Sequence, residues 1–301
     1  MAASEILANV KRQFDPGEVI EIRLKSRGGW HSGYYDYEHF EQMAADVEKY
    51  DELRETTAIY YTLNPVQNIL LARCMNHIQR AKETTTDAQI KYRKYLPFDI
   101  DPERPAGVSS TNEQHEKSIE KGNRVAKWLK EEYGWPDPIK GDSGNGTHLD
   151  YRIDEPNTPE AKELVECVQK AVIEQFNDEN DGIKIEGWAN TARIWKLKGT
   201  MTRKGDEIPD QDIYHRRSKI LAMPDELQNV TTEQLRDVAA LYQPGEVTGP
   251  QKSQEQPSKK PKKGKIFDIE AWIKKYKIPV ERVKKESDKT IYVLEACLIN
   301  P

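Results

Sequence analysis

The sequence predicts a mixed α/β (α+β) body, followed by a basic linker and a small C-terminal segment. Three observations predict it. Segments with helical apolar spacing alternate with short apolar strands as far as residue 241, and no internal repeat interrupts them. The composition then breaks at Gln243-Pro244-Gly245, and from Gly249 to Lys265 no large apolar residue occurs, so this stretch cannot bury a core. The charge splits at the same place. The formal net charge is -5, but residues 251–301 hold 13 Lys+Arg against 7 Asp+Glu, a local +6 that leaves -11 for residues 1–250. With a prior of one domain per ~150 residues, 301 residues allow about two units. The boundaries drawn are a core at 1–245, a flexible basic linker at 246–265 and a segment at 266–301.

The elements follow in order. A helix is expected over Ser4 to Phe14 and a strand at Val19 to Leu24. A helix from about Tyr37 to Tyr50 precedes a strand at Ala58 to Leu63. Tyr95 to Ile100 reads as a strand that enters Asp99-Ile100-Asp101-Pro102. Ser110 with Glu113 has capping-box spacing, which starts a long helix ending near Tyr133. Strands are expected near Ile139 and from Thr147 to Ile153, then a helix over Pro159 to Phe176. Short strands at Ile183 to Ile185, Arg193 to Leu197 and Ser218 to Ala222 lead to a closing helix, Thr232 to Leu241. Beyond the linker, Phe267, Ile269, Trp272, Ile273 and Tyr276 have helical spacing, and Ile291-Tyr292-Val293-Leu294 is an apolar run. The stop just after that run reads as a cut through a longer protein.

Composition excludes some classes. No run of ~18 apolar residues is present, so no membrane-spanning helix is expected. Met1 to Gln13 lacks the apolar core of a signal peptide, so a cytoplasmic setting is the expectation. Cys74, Cys167 and Cys297 stand far apart, which argues against a disulfide framework and a four-thiolate zinc site. The acidic total argues against indiscriminate binding of nucleic acid by the whole surface.

Three motifs carry chemistry. In Phe98-Asp99-Ile100-Asp101-Pro102 the two carboxylates lie at i and i+2 on a strand and so share a face. A hard divalent cation, Mg²⁺ or Mn²⁺, would relieve their repulsion; an Asp-rich strand end is the plainer alternative. In Asp142-Ser143-Gly144-Asn145-Gly146-Thr147-His148 two glycines let backbone N–H groups approach a phosphate, with His148 beside them. A tight hairpin turn with a partly buried histidine is the alternative, and no Walker A ending is present. Residues 193–204 hold five Lys/Arg and no acid, with Arg193, Trp195 and Leu197 on one face and Lys196 and Lys198 on the other. Such a stripe suits a triphosphate or a backbone phosphate, or is a solvated strand face. His215, Arg216 and Arg217 add a second basic cluster.

The order of these motifs resembles the archaeo-eukaryotic primase superfamily, in its primase-polymerase branch of phages, plasmids and CRISPR-associated or other defence loci. The resemblance covers roughly residues 15–225 and is carried by Phe98 to Pro105 with Ser109-Ser110-Thr111 and Glu113, by Asp142 to Leu149, and by Asn190 to Gly205 with His215-Arg216. It implies a catalytic core with an N-terminal α/β module beside a module like an RNA-recognition motif (RRM-like), and a site in the cleft between them. It implies two divalent metals on Asp99, Asp101 and a third acid, for which Glu186 is chosen with Asp181 as fallback. It implies triphosphate contacts from His148, with Ser143, Gly144 and Gly146 in the loop and Arg193, Lys196, Lys204, His215 and Arg216 on the basic side. The strict family form has serine two residues before the histidine, where this chain has Gly146. The implied activity is template-directed nucleotidyl transfer, as a DNA primase or DNA polymerase. Its partners would be a single-stranded template, a primer, nucleoside triphosphates and a helicase region in a longer chain. No zinc is expected, since Cys297 has no second ligand near it in sequence. The rival readings are a nucleic-acid-binding module with weakened catalysis, motivated by the displaced third acid, and a metal-dependent phosphodiesterase.

Two smaller features take plain readings. Cys74-Met75-Asn76-His77 falls on a helical pattern with Ile69, Leu70 and Ile78, so core packing is expected rather than metal binding. Gly28-Gly29 and Gly33, around Trp30, His31, Tyr34 and Tyr35, read as a surface loop on an aromatic cluster, with base stacking as the alternative.

Overall fold

The computed structural model describes residues 2–178, 180–242, 279–285 and 290–294. The chain divides into two units, Met1–Gln243 and Pro244–Pro301. The helical pattern expected from Ile266 to Tyr276, the linker and Cys297 lie outside the described residues.

The first unit starts with helix α1 (Ala2–Gln13), strands β1 (Val19–Ser26) and β2 (Gly29–Asp36), helix α2 (Phe40–Asp51) and strand β3 (Thr56–Thr62). A 3-10 stretch, Asn68–Arg73, and the short β4 (Gln79–Arg80) lead into β5 (Tyr92–Pro102). There follow α3 (Asn112–Tyr133), β6 (Ile139–Asp142), β7 (Thr147–Pro156), α4 (Pro159–Phe176) and β8 (Ile183–Gly187). The unit closes with β9 (Ile194–Lys196), β10 (Met201–Thr202), β11 (Arg216–Arg217), β12 (Lys219–Ala222) and α5 (Thr232–Ala239). In the second unit, β13 (Val280–Lys285) and β14 (Thr290–Leu294) form an antiparallel pair. No helix among the described residues is long and apolar enough to cross a membrane.

Two antiparallel five-stranded sheets organise the first unit, ordered β4-β2-β1-β3-β9 and β12-β6-β7-β5-β8. In the second sheet the chain runs β5-α3-β6-β7-α4-β8, a βαββαβ order with β5 and β7 at the centre. β5 alternates as a strand with two different faces must. Leu96, Phe98 and Ile100 are buried with Val125 and Leu129 of α3 and Val165 and Val168 of α4. Tyr95, Asp99 and Asp101 take the other face. The first sheet is built the same way. Ile20, Ile22, Leu24, Ile59 and Tyr61 pack with Phe14, Phe40, Met43 and Val47, while Arg23, Lys25, Trp30 and Tyr60 occupy the face away from that core. The first sheet is completed by β9, which arrives after four of the five strands of the second sheet and pairs with β3 at Tyr61↔Trp195.

Three local expectations are corrected. The N-cap of α3 is Thr111, not Ser110. Its hydroxyl accepts from Gln114 N at 3.2 Å while the Gln114 side chain accepts from Thr111 N at 3.0 Å. The box is one residue later because Ser110 N is held by Asn145 Oδ1 at 2.9 Å. The glycine-rich aromatic segment is a strand rather than a loop: β2 pairs along β1 from Val19↔Asp36 to Ser26↔Gly29. Gly33 hides the strand signal, yet a Cβ there would lie 2.3 Å from His77 O. The helical pattern through Cys74 stops at Arg73. Cys74 does pack in a small core with Val66 and Ile90, but His77 is exposed.

Candidate active site

Strand register assembles the acidic side of the site. Asp99 stands opposite His148 of β7 on one flank and opposite Glu186 of β8 on the other. Asp101 is two residues along, on the same face. Of the acids and histidine singled out from sequence, Asp99, Asp101, His148 and Glu186 thus share one face of one sheet. His148 Nε2 lies 3.3 Å from Asp99 Oδ1. Asp101 Oδ2 accepts from Arg104 Nη2 at 3.0 Å. Asp99 Oδ1 and Asp101 Oδ1 are buried and have no hydrogen-bond partner. Burial, above all, holds both carboxyls above the usual range; Asp99 adds to the rise at Asp101, and Lys204 opposes it at both. Glu186 is raised by burial and then by Asp99 and Asp101.

Two neighbouring carboxylates with orphaned buried oxygens suit a hard divalent cation, which prefers oxygen ligands and would remove the penalty of leaving them charged. Their side chains remain 21% and 27% exposed, so an ion can reach them. Among the described residues no three His, Cys, Asp or Glu side chains are gathered to hold one ion. Glu186 is therefore in register but not drawn in. The fallback Asp181 is engaged elsewhere. It accepts from the buried Lys121 Nζ at 2.8 Å and from Ile183 N at 2.9 Å.

The glycine loop expected to cradle a phosphate lies beside the acids, with Ser143 lining a cavity that Asp99 and Asp101 share. It is a tight β6–β7 connection whose amides are already used within it. Ser143 Oγ accepts from Asn145 N at 3.3 Å and Gly146 N at 3.0 Å, Gly144 N donates to Asp142 Oδ1 at 2.7 Å, and Ser143 N donates to Gly146 O at 3.0 Å. His115 anchors Asp142 at 2.9 Å and holds its carboxyl below the usual range against the opposing effect of burial. Gly144 needs its φ of +92°. At Gly146 a Cβ would lie 2.3 Å from Ile100 O and 2.5 Å from Asp101 Oδ1. A side chain two residues before His148 therefore collides with the acidic strand in this backbone.

The basic stripe divides by partner. Arg193 and Lys204 reach the acids: both line a cavity of about 180 Å³ with Tyr60, Asp99, Asp101 and His148. A second cavity, about 460 Å³, shares Asp101 and Lys204 and includes Arg104 and Glu186. The Arg193 guanidinium also stacks 3.6 Å from the centre of the Trp188 ring. Lys196 lines the smaller cavity, but its Nζ donates to Thr200 Oγ1 at 2.6 Å and Met201 O at 2.8 Å. Burial drives its pKa well down, so it is not the solvated lysine of an open strand face. Arg216 donates to Ser110 O at 2.8 Å and Asn112 Oδ1 at 2.9 Å, fastening the start of α3. His215 is held against Gly205 O at 2.9 Å and lines neither cavity. Arg217 is clamped by Asp51 at 2.8 Å, and the same carboxylate accepts from Met201 N at 2.8 Å. These contacts hold the chain just before Lys204.

Sequence reading placed Lys198 in the basic stripe without singling it out for the site, and missed Asp150, Arg104 and Tyr60. Lys198 Nζ donates to His148 Nδ1 at 2.6 Å. Burial, then the Lys198 charge, keeps His148 well below its ordinary pKa. The imidazole is thus neutral, with its proton on Nε2, the nitrogen nearest Asp99. Burial pushes Lys198 down to about 8. Asp150, fully buried two residues beyond His148, is pushed up to about 7 by burial, although the Lys198 charge and the Trp195 indole pull the other way. The spacing of Asp150 from His148, and of Arg104 three residues past Asp101, were the available signals.

No protein-family model and no curated protein matches the chain. Among solved structures it is similar to the AEP domain of the cyanophage S-2L primase-polymerase (PrimPol), with a TM-score of 0.40 and 14% identity, covering 78% of this chain and 97% of that one.

Proposed function

We propose that the chain is a template-directed nucleotidyltransferase of the primase-polymerase type, which joins nucleoside triphosphates to a 3′-hydroxyl. One observation carries the proposal: two carboxylates with orphaned oxygens, Asp99 and Asp101, share a cavity with Arg193, Lys204 and a neutral His148. Acids that hold cations, placed beside cations that hold an anion, match the charges of a metal–triphosphate pair. Asp99 and Asp101 are the residues that would hold the divalent ions, with Glu186 at the rim as the third acid. Ions bound there would supply charge neutralisation for the attacking and leaving oxygens. Lys204 and Arg193 bind the polyphosphate and orient it. Lys198 fixes His148 as an N–H donor toward the same space. The βαββαβ order of the second sheet supports the RRM-like module of the resemblance, with the site on the face not covered by helices.

The test is primer extension on a single-stranded template with labelled deoxy- and ribonucleotides, in Mg²⁺ or Mn²⁺, with and without primer. The expected result is incorporation by the intact protein and none by Asp99→Ala. Incorporation that persists in both Asp99→Ala and Asp101→Ala would falsify the site. A second reading, a nucleic-acid-binding module with weakened catalysis, is favoured by the absence of a gathered three-ligand cluster among the described residues. Template binding without incorporation in either metal supports it.

A further inference from the structure

We infer that the open face of the first sheet is a stacking platform for single-stranded nucleic acid that leads into the candidate site. Trp30 stands on β2 with 42% of its surface exposed, an unusual position for the largest aromatic side chain on a strand. Its ring lies 6.2 Å from that of Tyr60 at 45°. Tyr60 in turn lines the cavity that holds Asp99 and Asp101. The two rings therefore form a short aromatic path from the sheet face to the acids.

Cations flank that path. Lys25 is paired in register with Trp30; Arg23, opposite Tyr60, is largely taken up by the buried Glu21, so Lys25 and Lys82 are the cations left for phosphate. Trp30, Arg23 and Lys82 line a cavity of about 360 Å³ that includes Ile194, a residue shared with the acidic cavity. The acids nearby are largely answered. Glu21 is buried and accepts from Arg23 at 2.7 Å and from Ser32 at 2.6 Å, and Glu83 faces Arg73 at 3.4 Å. An exposed ring beside a partly buried one, with cations alongside, is what a flexible polynucleotide needs. Bases stack on the rings and the phosphates meet the cations, without a requirement for particular bases. A double-stranded helix offers no free base face to Trp30, so the partner is a single strand. The inference deepens the polymerase reading only in making this strand the template; the binding itself does not depend on catalysis.

The experiment is fluorescence anisotropy of labelled 12-mers of deoxythymidine and of uridine, at several salt concentrations, on the full chain. Trp30→Ala is expected to weaken binding about tenfold, within the range for loss of one base stack, while Trp30→Phe retains most of it. Lys25→Ala with Lys82→Ala is expected to flatten the salt slope by about 1.4, from ~0.7 per phosphate contact on a single strand. Tryptophan emission quenched by the oligonucleotide in the intact chain, but not in Trp30→Phe, supports the platform even if Trp30→Ala fails to fold. Wild-type affinity in Trp30→Ala, or full quenching in Trp30→Phe, overturns it. Comparing the two oligonucleotides shows which sugar the strand carries. Anisotropy on the intact chain is measured without nucleoside triphosphates or metal, and incorporation by primer extension, so a failure of nucleotide incorporation and a failure of this platform are read on separate instruments.

Discussion

Replacing Asp150 with asparagine should change how stability depends on pH. In the folded chain the Asp150 carboxyl is raised from 3.8 to about 7, with burial the largest cause. Between those values the folded state holds a proton that the unfolded chain has released. The stabilisation tied to that proton is full below the unfolded value and is lost as pH rises through the folded one. The slope is ~1.4 kcal/mol per pH unit, so roughly three units make about 4 kcal/mol in all and about 3 kcal/mol between pH 5 and pH 8. Asparagine keeps the shape and carries no titrating proton. The stability of Asp150→Asn relative to the unaltered chain should therefore climb by about that amount from pH 5 to pH 8. Groups that titrate in both proteins cancel to first order. The exception is Lys198, which burial pulls to about 8 and the Asp150 charge holds up; without that charge it falls further, so the climb is enlarged at its upper end. Urea unfolding at pH 5, 6, 7 and 8 with a constant m-value measures it. Parallel pH curves for the two proteins would refute the dry, charge-poor environment that the geometry gives Asp150.

Two further outcomes are expected. Gly146→Ser should lower stability by about 1–3 kcal/mol, because its Cβ would need room within 2.3 Å of Ile100 O; a melting temperature equal to that of the unaltered chain would show that the strands separate freely there. Thr111→Ala should cost about 1 kcal/mol as the loss of an N-cap, and Ser110→Ala should not lose that capping contribution; chemical denaturation of the two variants distinguishes the observed cap from the one-residue-earlier alternative.

Much of the site was readable because it depends on strand arithmetic. Asp99 and Asp101 share a face at any register. The β8 placement of Glu186 needed only the short strand that its apolar neighbours Ile183 and Ile185 mark. Partners were not readable. Nothing in the basic stripe separates Lys204, which reaches the acids, from Lys196, whose donors turn inward to Thr200 and Met201. The same holds for Arg216, which fastens a helix start, and for Asp181, which answers a buried lysine about 60 residues away in sequence. Each is decided by contacts between distant segments, which local pattern does not encode. The β2 strand was missed for a related reason. Its glycines lower strand propensity, and only the close approach of the His77 carbonyl shows why one of them is there.

The late arrival of β9 has a consequence for dissection of the gene. The first sheet takes its last strand from residues 194–196, more than a hundred positions after β3. A fragment cut between the sheets, ending near residue 91, would leave β3 an open edge and remove Trp195 and Leu197 from the core they share with Tyr61 and Ile59. The amino-terminal half should then aggregate when expressed alone and be rescued by co-expression of the remainder. Recombination that exchanged either half between related genes would pair a β3 from one parent with a β9 from the other, so the residues that meet across Tyr61↔Trp195 must match.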